Sequence, residues 1–363
     1  MRQNVSLRSA LRNFAAMLGL TPLSEIQRIL ISRTDELGDV ILTLPLSVAI
    51  RKELPDVHLS FLVRPYISHL VHRIREIDQA FTLPPSGKGT EIFREYKPDA
   101  IIFAKPEFRL ALEAMRAKID VRIGSGYRWY SGLFTRWVYD RRKDRGSHEA
   151  EFEMNMLGPL IPGPHELVMP ELPPMEEAAG EAEAHLRGAQ IEGPYVIIHP
   201  VGKPSVLPYP VERFAQIGRT LLEARPDISV VITSGHGERP IAEELKEGIG
   251  VKNRTAIIDT LSPNGVSELL RGTSCFLSSA SDGAHLAALV RAPVVALFPG
   301  TPPNWPQRRA PIGPHVTTLT PEEGEPLPQN SGGGGTNPLN VIARIKPERV
   351  VEACLQQLNA TAG

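Results

Sequence analysis

Short apolar runs of strand length alternate along the chain with longer segments whose apolar residues recur at helical spacing. Between Arg28 and Gly124 the runs "RILISR", "VHLSFLV", "DAIIFA" and "DVRIG" read as strands, and "EFRLALEAMRAK" reads as a helix. A proline-rich stretch from Ile161 to Met175 then reads as an extended linker, because proline fixes φ and removes backbone donors. Beyond it the pattern restarts. "YVIIHP", "DISVVITS", "RTAIID", "SCFLSS" and "PVVALF" are strands, "VERFAQIGRTLLEA" is a helix, and another helix begins near Pro240. Strands alternating with helices in this way predict an α/β fold with parallel sheets covered on both faces, built as two similar doubly wound domains. The boundaries read as a basic N-terminal segment over 1–25, a first domain over 26–160, a linker region over 161–190, a second domain over 191–345, and a C-terminal helix and tail over 346–363. That last helix shows Val350, Val351, Cys354, Leu355 and Leu358 on one face. Thr320 to Pro338 has no periodicity and reads as a loop.

Composition narrows the class. The chain has 363 residues, enough for two cores, with 42% hydrophobic and 22% charged residues, as a soluble globular protein has. A net charge of −1 argues against a general nucleic-acid partner. Cys275 and Cys354 are the only cysteines, which excludes a disulfide framework and a cysteine-rich metal site and fits a reducing cytosol. No apolar run reaches the roughly 18 residues of a membrane span. The N-terminal "MRQNVSLRSALRNFAAMLGL" is too interrupted for a secretory signal; it reads as a surface helix or as a segment lying on an anionic membrane. His69 and His72 lie three apart with no third ligand in register, so no metal is expected.

Ligands of open α/β sheets bind beyond the carboxyl ends of the strands, so the loops there carry the candidate chemistry. "ISRTDELGDVILTLP" sets Asp35 and Asp39 between a strand and a helix, where carboxylates either cap the helix or do chemistry; Gly38 lets the backbone approach a ligand. "SSASDGAHLAAL" ends a strand in small residues and opens a helix near Asp282-Gly283, an arrangement suited to a diphosphate, with Ser281 and His285 beside it. "HPVGKPSVLPYP" carries His199, Gly202 and Lys203, the lysine either a phosphate partner or a solvated loop residue. "GHGERP" resembles part of a dinucleotide fingerprint, but Pro240 replaces its third glycine; Glu238 there is instead a candidate for a ribose or base. The run from Tyr127 to Glu149 interleaves aromatics with Arg128, Arg136, Arg141 and Arg142, a surface for nucleic acid, for an anionic sugar or lipid head group, or a solvated basic loop.

Four of these segments, in order, resemble glycosyltransferase family nine, the lipopolysaccharide heptosyltransferases: "ILISRTDELGDVILTLPLSVAIRKELPDVHLSFLV", "VIIHPVGKPSVLPYPVERFAQI", "SSASDGAHLAALVRAPVVALFPGT" and "IKPERVVEACLQQL". The resemblance implies the GT-B architecture, two Rossmann-like domains facing a central cleft. It implies inverting, metal-independent transfer of a heptose-like sugar from a nucleotide diphosphate sugar, ADP-heptose by the family's habit, with no cofactor. The acceptor would be a lipopolysaccharide core or similar lipid-linked glycan, handled in the cytoplasm with peripheral contact at the inner membrane. Asp39 falls on the family's catalytic aspartate. Asp35, Gly38, Arg128, Arg136, Arg141 and Arg142 would meet the acceptor. His199, Gly202, Lys203, Glu238, Ser281, Asp282, Gly283 and His285 would meet the donor. The chain departs from the pattern at Val201, where the family has glycine, at Leu207, where it has lysine, and at Ala280, where it has aspartate. Those departures motivate one competing reading, a catalytically inactive relative acting as a binding protein, and the "GHGERP" turn motivates another, an NAD-linked Rossmann enzyme.

Overall fold

The computed structural model describes residues 25–140, 146–202, 208–235, 237–300, 305–322 and 341–361. The chain forms two compact units, one ending at Pro170 and the other beginning at Glu171. The first unit is a six-stranded sheet of β1 (Arg28–Ser32), β2 (His58–Val63), β3 (Gln79–Thr82), β4 (Ala100–Phe103), β5 (Val121–Ser125) and β6 (Arg136–Val138). Its spatial order is β3-β2-β1-β4-β5-β6, and every pairing is parallel. The helices used below are α1 (Leu37–Thr43), α2 (Pro45–Glu53), α3 (Thr90–Tyr96), α4 (Phe108–Arg116) and α5 (Glu149–Asn155).

The second unit repeats the plan. It contains β7 (Tyr195–His199), β8 (Ser229–Ile232), β9 (Thr255–Ile257), β10 (Cys275–Ser279), β11 (Val294–Leu297) and β12 (Val316–Leu319). Their order is β12-β11-β10-β7-β8-β9, again all parallel. Counted from its own first strand, each sheet has the order 3-2-1-4-5-6 of a dinucleotide-binding fold. The chain reverses direction between β1 and β4 in one sheet and between β7 and β10 in the other. Those two switch points fix where crevices open at the carboxyl ends of the strands.

The helices of the second unit are α6 (Glu176–Gly188), α7 (Val211–Ala224), α8 (Arg239–Ile249), α9 (Pro263–Arg271), α10 (Asp282–Leu289) and α11 (Pro347–Thr361). α7 buries Phe214, Ile217, Gly218, Leu221 and Leu222, an apolar stripe at helical spacing. A Cβ at Gly218 would lie 2.8 Å from Ile249 Cδ1 of α8, so any larger residue there would make Ile249 shift. α6 lies in the stretch the sequence presented as linker. It packs on α9, where Glu181 accepts a 2.7 Å bond from the Ser262 amide. Proline leaves Ile161 to Met175 without helix or strand.

Candidate active site

At the first switch point β1 runs into a loop whose amides are tied to both neighbouring strands. Arg33 N–H donates to the Leu62 carbonyl at 3.0 Å, and Lys105 N–H donates to that of Ser32 at 3.3 Å. The sequence set both Asp35 and Asp39 between the strand and the helix. In the structure the helix opens earlier, at Leu37, so Gly38 and Asp39 are the second and third residues of α1. The N-cap is Glu36, and its side chain makes no capping bond. Pro45 cannot donate to the helix behind it, so α1 ends at Thr43 and α2 starts at Pro45.

The Asp39 carboxylate, on a residue only 7% exposed, meets a cation that the sequence reading missed. Arg33 is 2% exposed and places Nη2 3.3 Å from Asp39, Nε 2.9 Å from Asp35 and Nη1 2.8 Å from Glu153 of α5. Nη1 also donates to the Ala104 carbonyl at 3.1 Å, so the guanidinium spans the β1–β4 switch point. Burial alone lowers the pKa of a guanidinium. Glu153, Asp35, Asp39 and Glu149 outweigh it, and the pKa of Arg33 rises above its ordinary value. Burial raises the pKa of Asp35, with the Asp39 charge adding to the rise and Arg33 and Lys105 opposing it. A second layer fixes the loop. The Thr34 carbonyl accepts from Arg64 Nε at 2.9 Å, its hydroxyl donates to Glu107, and Lys105 pairs with Glu107 at 3.1 Å. Asp35, Gly38 and Asp39 are thus brought together, with Arg33, Glu149 and Glu153 unforeseen. The signals were present: an arginine closing an apolar strand, and two glutamates at i,i+4 in "HEAEFEMN".

The second switch point collects most of the other candidates. His199 ends β7, and its Nδ1 lies 3.0 Å from the Thr233 carbonyl. A carbonyl only accepts, so Nδ1 carries the proton and the neutral ring presents Nε2 as an acceptor. Burial lowers the pKa of His199, opposed by Glu238, the Thr233 bond and Asp282. The unfolded imidazole therefore gains its proton from about pH 6.5 downward before the folded one does, so this histidine costs stability as pH falls below that value. Urea midpoints at pH 7.5 and 5.5 should show His199→Gln losing less stability on acidification than wild type, by up to about 1.4 kcal/mol per pH unit. Equal losses would contradict this titration.

Gly202 packs where a Cβ would lie 3.2 Å from Ser279 Cβ at the end of β10. Ser281 caps α10 by accepting from the Ala284 amide at 3.3 Å and sits 2.9 Å from Ser278 Oγ. That cap takes the third amide of the helix. The amides of Asp282 and Gly283 precede the first intrahelical bond and are the natural anion donors. Gly283 lies 3.1 Å (as a Cβ) from the Phe276 ring, and His285 is buried in the same turn.

Glu238 accepts the Gly235 amide at 2.6 Å, and Asp259 pairs with Arg239 at 2.9 Å. This turn follows β8, one strand away from the switch point, whereas a dinucleotide fingerprint follows the first strand of its sheet. Arg128 is exposed, and Arg136 of β6 donates to the Pro159 carbonyl at 2.9 Å. Burial lowers the pKa of Arg136. Lys203, Arg141 and Arg142 lie outside the described residues. Among the described residues no group of three His, Cys, Asp or Glu could hold a metal ion, and no helix is long and apolar enough to cross a membrane.

Two Rossmann-like domains with their candidate residues at the two switch points define a GT-B-type α/β protein. Residues 90–330 match glycosyltransferase family 9 (heptosyltransferase), well over half of the chain, and the chain belongs to that family and is a glycosyltransferase. Lipopolysaccharide heptosyltransferase 3 of Escherichia coli is 23% identical over 279 residues, covering 73% of this chain and 81% of that one. A solved family 9 glycosyltransferase from Veillonella parvula superposes with a TM-score of 0.76 at 18% identity, covering 92% of this chain and 97% of its own. The solved E. coli ADP-heptose lipopolysaccharide heptosyltransferase II gives 0.74 at 17% identity, covering 93% and 100%.

Proposed function

We propose that this glycosyltransferase moves a heptose-like sugar from a nucleotide diphosphate sugar to a lipopolysaccharide core or similar lipid-linked glycan, with inversion and without a metal ion. The observation that carries the reading is the Asp39 carboxylate, fixed by buried Arg33 at the carboxyl end of β1. Arg33 Nη2 at 3.3 Å fixes the position of this carboxylate, which is the group placed to accept a proton there. In the reaction the acceptor hydroxyl gives its proton to Asp39. Its oxygen bonds to the anomeric carbon from the face opposite the diphosphate, and the bond to the diphosphate breaks with its electron pair leaving on oxygen. The amides at the start of α10 receive the charge that develops there. His199, Gly202, Lys203, Glu238, Ser281, Asp282 and His285 are assigned to the donor, and Asp35, Gly38, Arg128, Arg136, Arg141 and Arg142 to the acceptor. The similar lipopolysaccharide heptosyltransferases favour ADP-heptose as donor and lipopolysaccharide as acceptor. A lipid-linked acceptor would bring the protein to the cytoplasmic face of the inner membrane without a spanning helix.

The donor is tested by thermal shift with ADP, GDP, UDP, CMP and NAD. A ligand that binds only the native state raises the melting temperature, and ADP at a hundred times its Kd should raise it by about 3–4 °C for a cooperatively melting chain of this length. A shift with another nucleotide changes the donor. No shift with any of them favours the binding-protein reading that Val201, Leu207 and Ala280 motivate.

A further inference from the structure

A concave surface lies at the amino ends of the central strands of the first sheet, opposite the end that carries Asp39. It is a groove of about 860 Å³ where α3 and α4 end, lined by Lys88, Arg94, Lys97, Arg116 and Lys118 among others. All five are exposed, and among the described residues no hydrogen bond or ion pair engages their side chains. Two of the acids on the lining are turned to backbone amides. Asp99 Oδ2 accepts from the amides of Gln27 and Arg28, each at 2.8 Å, and Glu113 Oε2 accepts from that of Gly89 at 2.7 Å. Glu113 also pairs with Arg109 at 3.5 Å, and with Asp120 as the third acid the lining holds seven cations against three carboxylates, so the groove carries a net positive charge.

The backbone supplies an independent observation. α3 ends at Lys97 with φ 49°, and α4 is followed by Lys118 with φ 57°. The amide of Ile119 bonds back to the Ala114 carbonyl and that of Lys118 to Met115, closing the second helix as a Schellman turn does. The left-handed position of such a turn ordinarily holds glycine, because a side chain there is strained. Here both positions hold lysine, and both line the same groove. A helix dipole accounts for one cation at one helix end. It does not account for two helix ends and the Lys88 loop converging on one hollow.

We infer that this groove is a binding site for a multiply charged phosphate group, a phosphomonoester or a diphosphate. Five cations exceed what a single carboxylate needs. Lysine point charges beside arginine forks match the several oxygens and charges of a phosphate. Lys97 and Lys118 precede β4 and β5, whereas Asp39 follows β1, so a strand length of about 16 Å separates the groove from the candidate base. The site is therefore separate from the transfer chemistry.

The test uses the full chain and reads lysine acetylation by mass spectrometry with and without pyrophosphate, and with vesicles of phosphatidylcholine containing or lacking phosphatidic acid. Lys88, Lys97 and Lys118 should be protected by one or both phosphate sources. Protection by pyrophosphate marks a soluble ligand, and protection by phosphatidic acid alone marks a membrane lipid. The double variant Lys97→Gly/Lys118→Gly removes two charges at positions where glycine relieves backbone strain, so its melting temperature should hold or rise. Lys88 still reports in it, and the concentration giving half-protection should increase about thirtyfold, roughly fivefold for each charge. Unchanged reactivity of all three lysines with both phosphate sources would overturn the inference. So would equal protection by citrate, or equal half-protection in the double variant.

Discussion

Asp39→Asn is expected to lower turnover by about 10²- to 10⁴-fold while leaving nucleotide binding intact. Asparagine keeps the shape of the side chain and an oxygen that Arg33 Nη2, now 3.3 Å away, can still approach. It removes the capacity to take a proton together with one of the carboxylate charges on Arg33, which keeps Asp35 and Glu153 as partners. The acceptor hydroxyl must then lose its proton to water during attack, which forfeits the advantage of a positioned base. The amides at the start of α10 and the rest of the second unit are untouched, so the thermal shift with ADP should be that of wild type. Loss of turnover with an unchanged shift separates base chemistry from donor binding. Turnover within a few-fold of wild type would remove Asp39 from the role of base and turn attention to Asp35, the other carboxylate on Arg33.

The strands that the hydrophobic pattern revealed are mostly the buried ones. β1, β2, β4, β7, β8, β10 and β11 are almost wholly buried, and each carries an apolar run of at least three residues. β3, β6 and β12 escaped notice for a physical reason. They are three or four residues long, two of them close a sheet edge in the first unit, and their residues are mostly half-buried. Such strands take their conformation from the neighbour they pair with, and their own composition carries little signal. α6 was hidden for another reason: it follows a proline-rich stretch and buries only Ala178 and Ala182, so it shows no apolar stripe.

The candidate sites were legible where a loop carries its own chemistry. Asp39, Ser281 and His199 stand at strand ends that periodicity alone can locate. The sequence could not show what surrounds them. Glu153 meets Arg33 across 120 positions of chain, and Ala104 does so across 71. Contacts of that separation are set by strand order, which follows from neither composition nor spacing. The Gly235–Pro240 turn makes the same point in reverse. Its residues resemble a nucleotide loop, but only the sheet order shows that it follows the second strand of its unit rather than the first.

Arg33→Met should destabilise the first unit by about 3–5 kcal/mol near pH 8, the usual cost of breaking a buried ion pair from one side. Methionine fills much of the same volume, so the loss is chiefly electrostatic. Arginine is the cation that Glu153, Asp35 and Asp39 share, and its removal leaves buried carboxylates facing one another. They respond by holding protons, so their folded-state pKa values rise above the unfolded ones. A carboxyl with a raised folded pKa penalises the fold once pH exceeds its unfolded value and ceases to do so below it. The deficit of the variant relative to wild type should therefore shrink as pH is lowered from 8 toward 5, as urea midpoints would show. Adding Glu153→Gln should restore part of the loss, since it deletes the most deeply buried of the three acids. Arg33→Lys should fall between, because one ammonium cannot reproduce a fork that reaches three carboxylates and the Ala104 carbonyl. A deficit under about 0.5 kcal/mol at pH 8, or one that grows on acidification, would mean that the guanidinium does not carry the charge of this site.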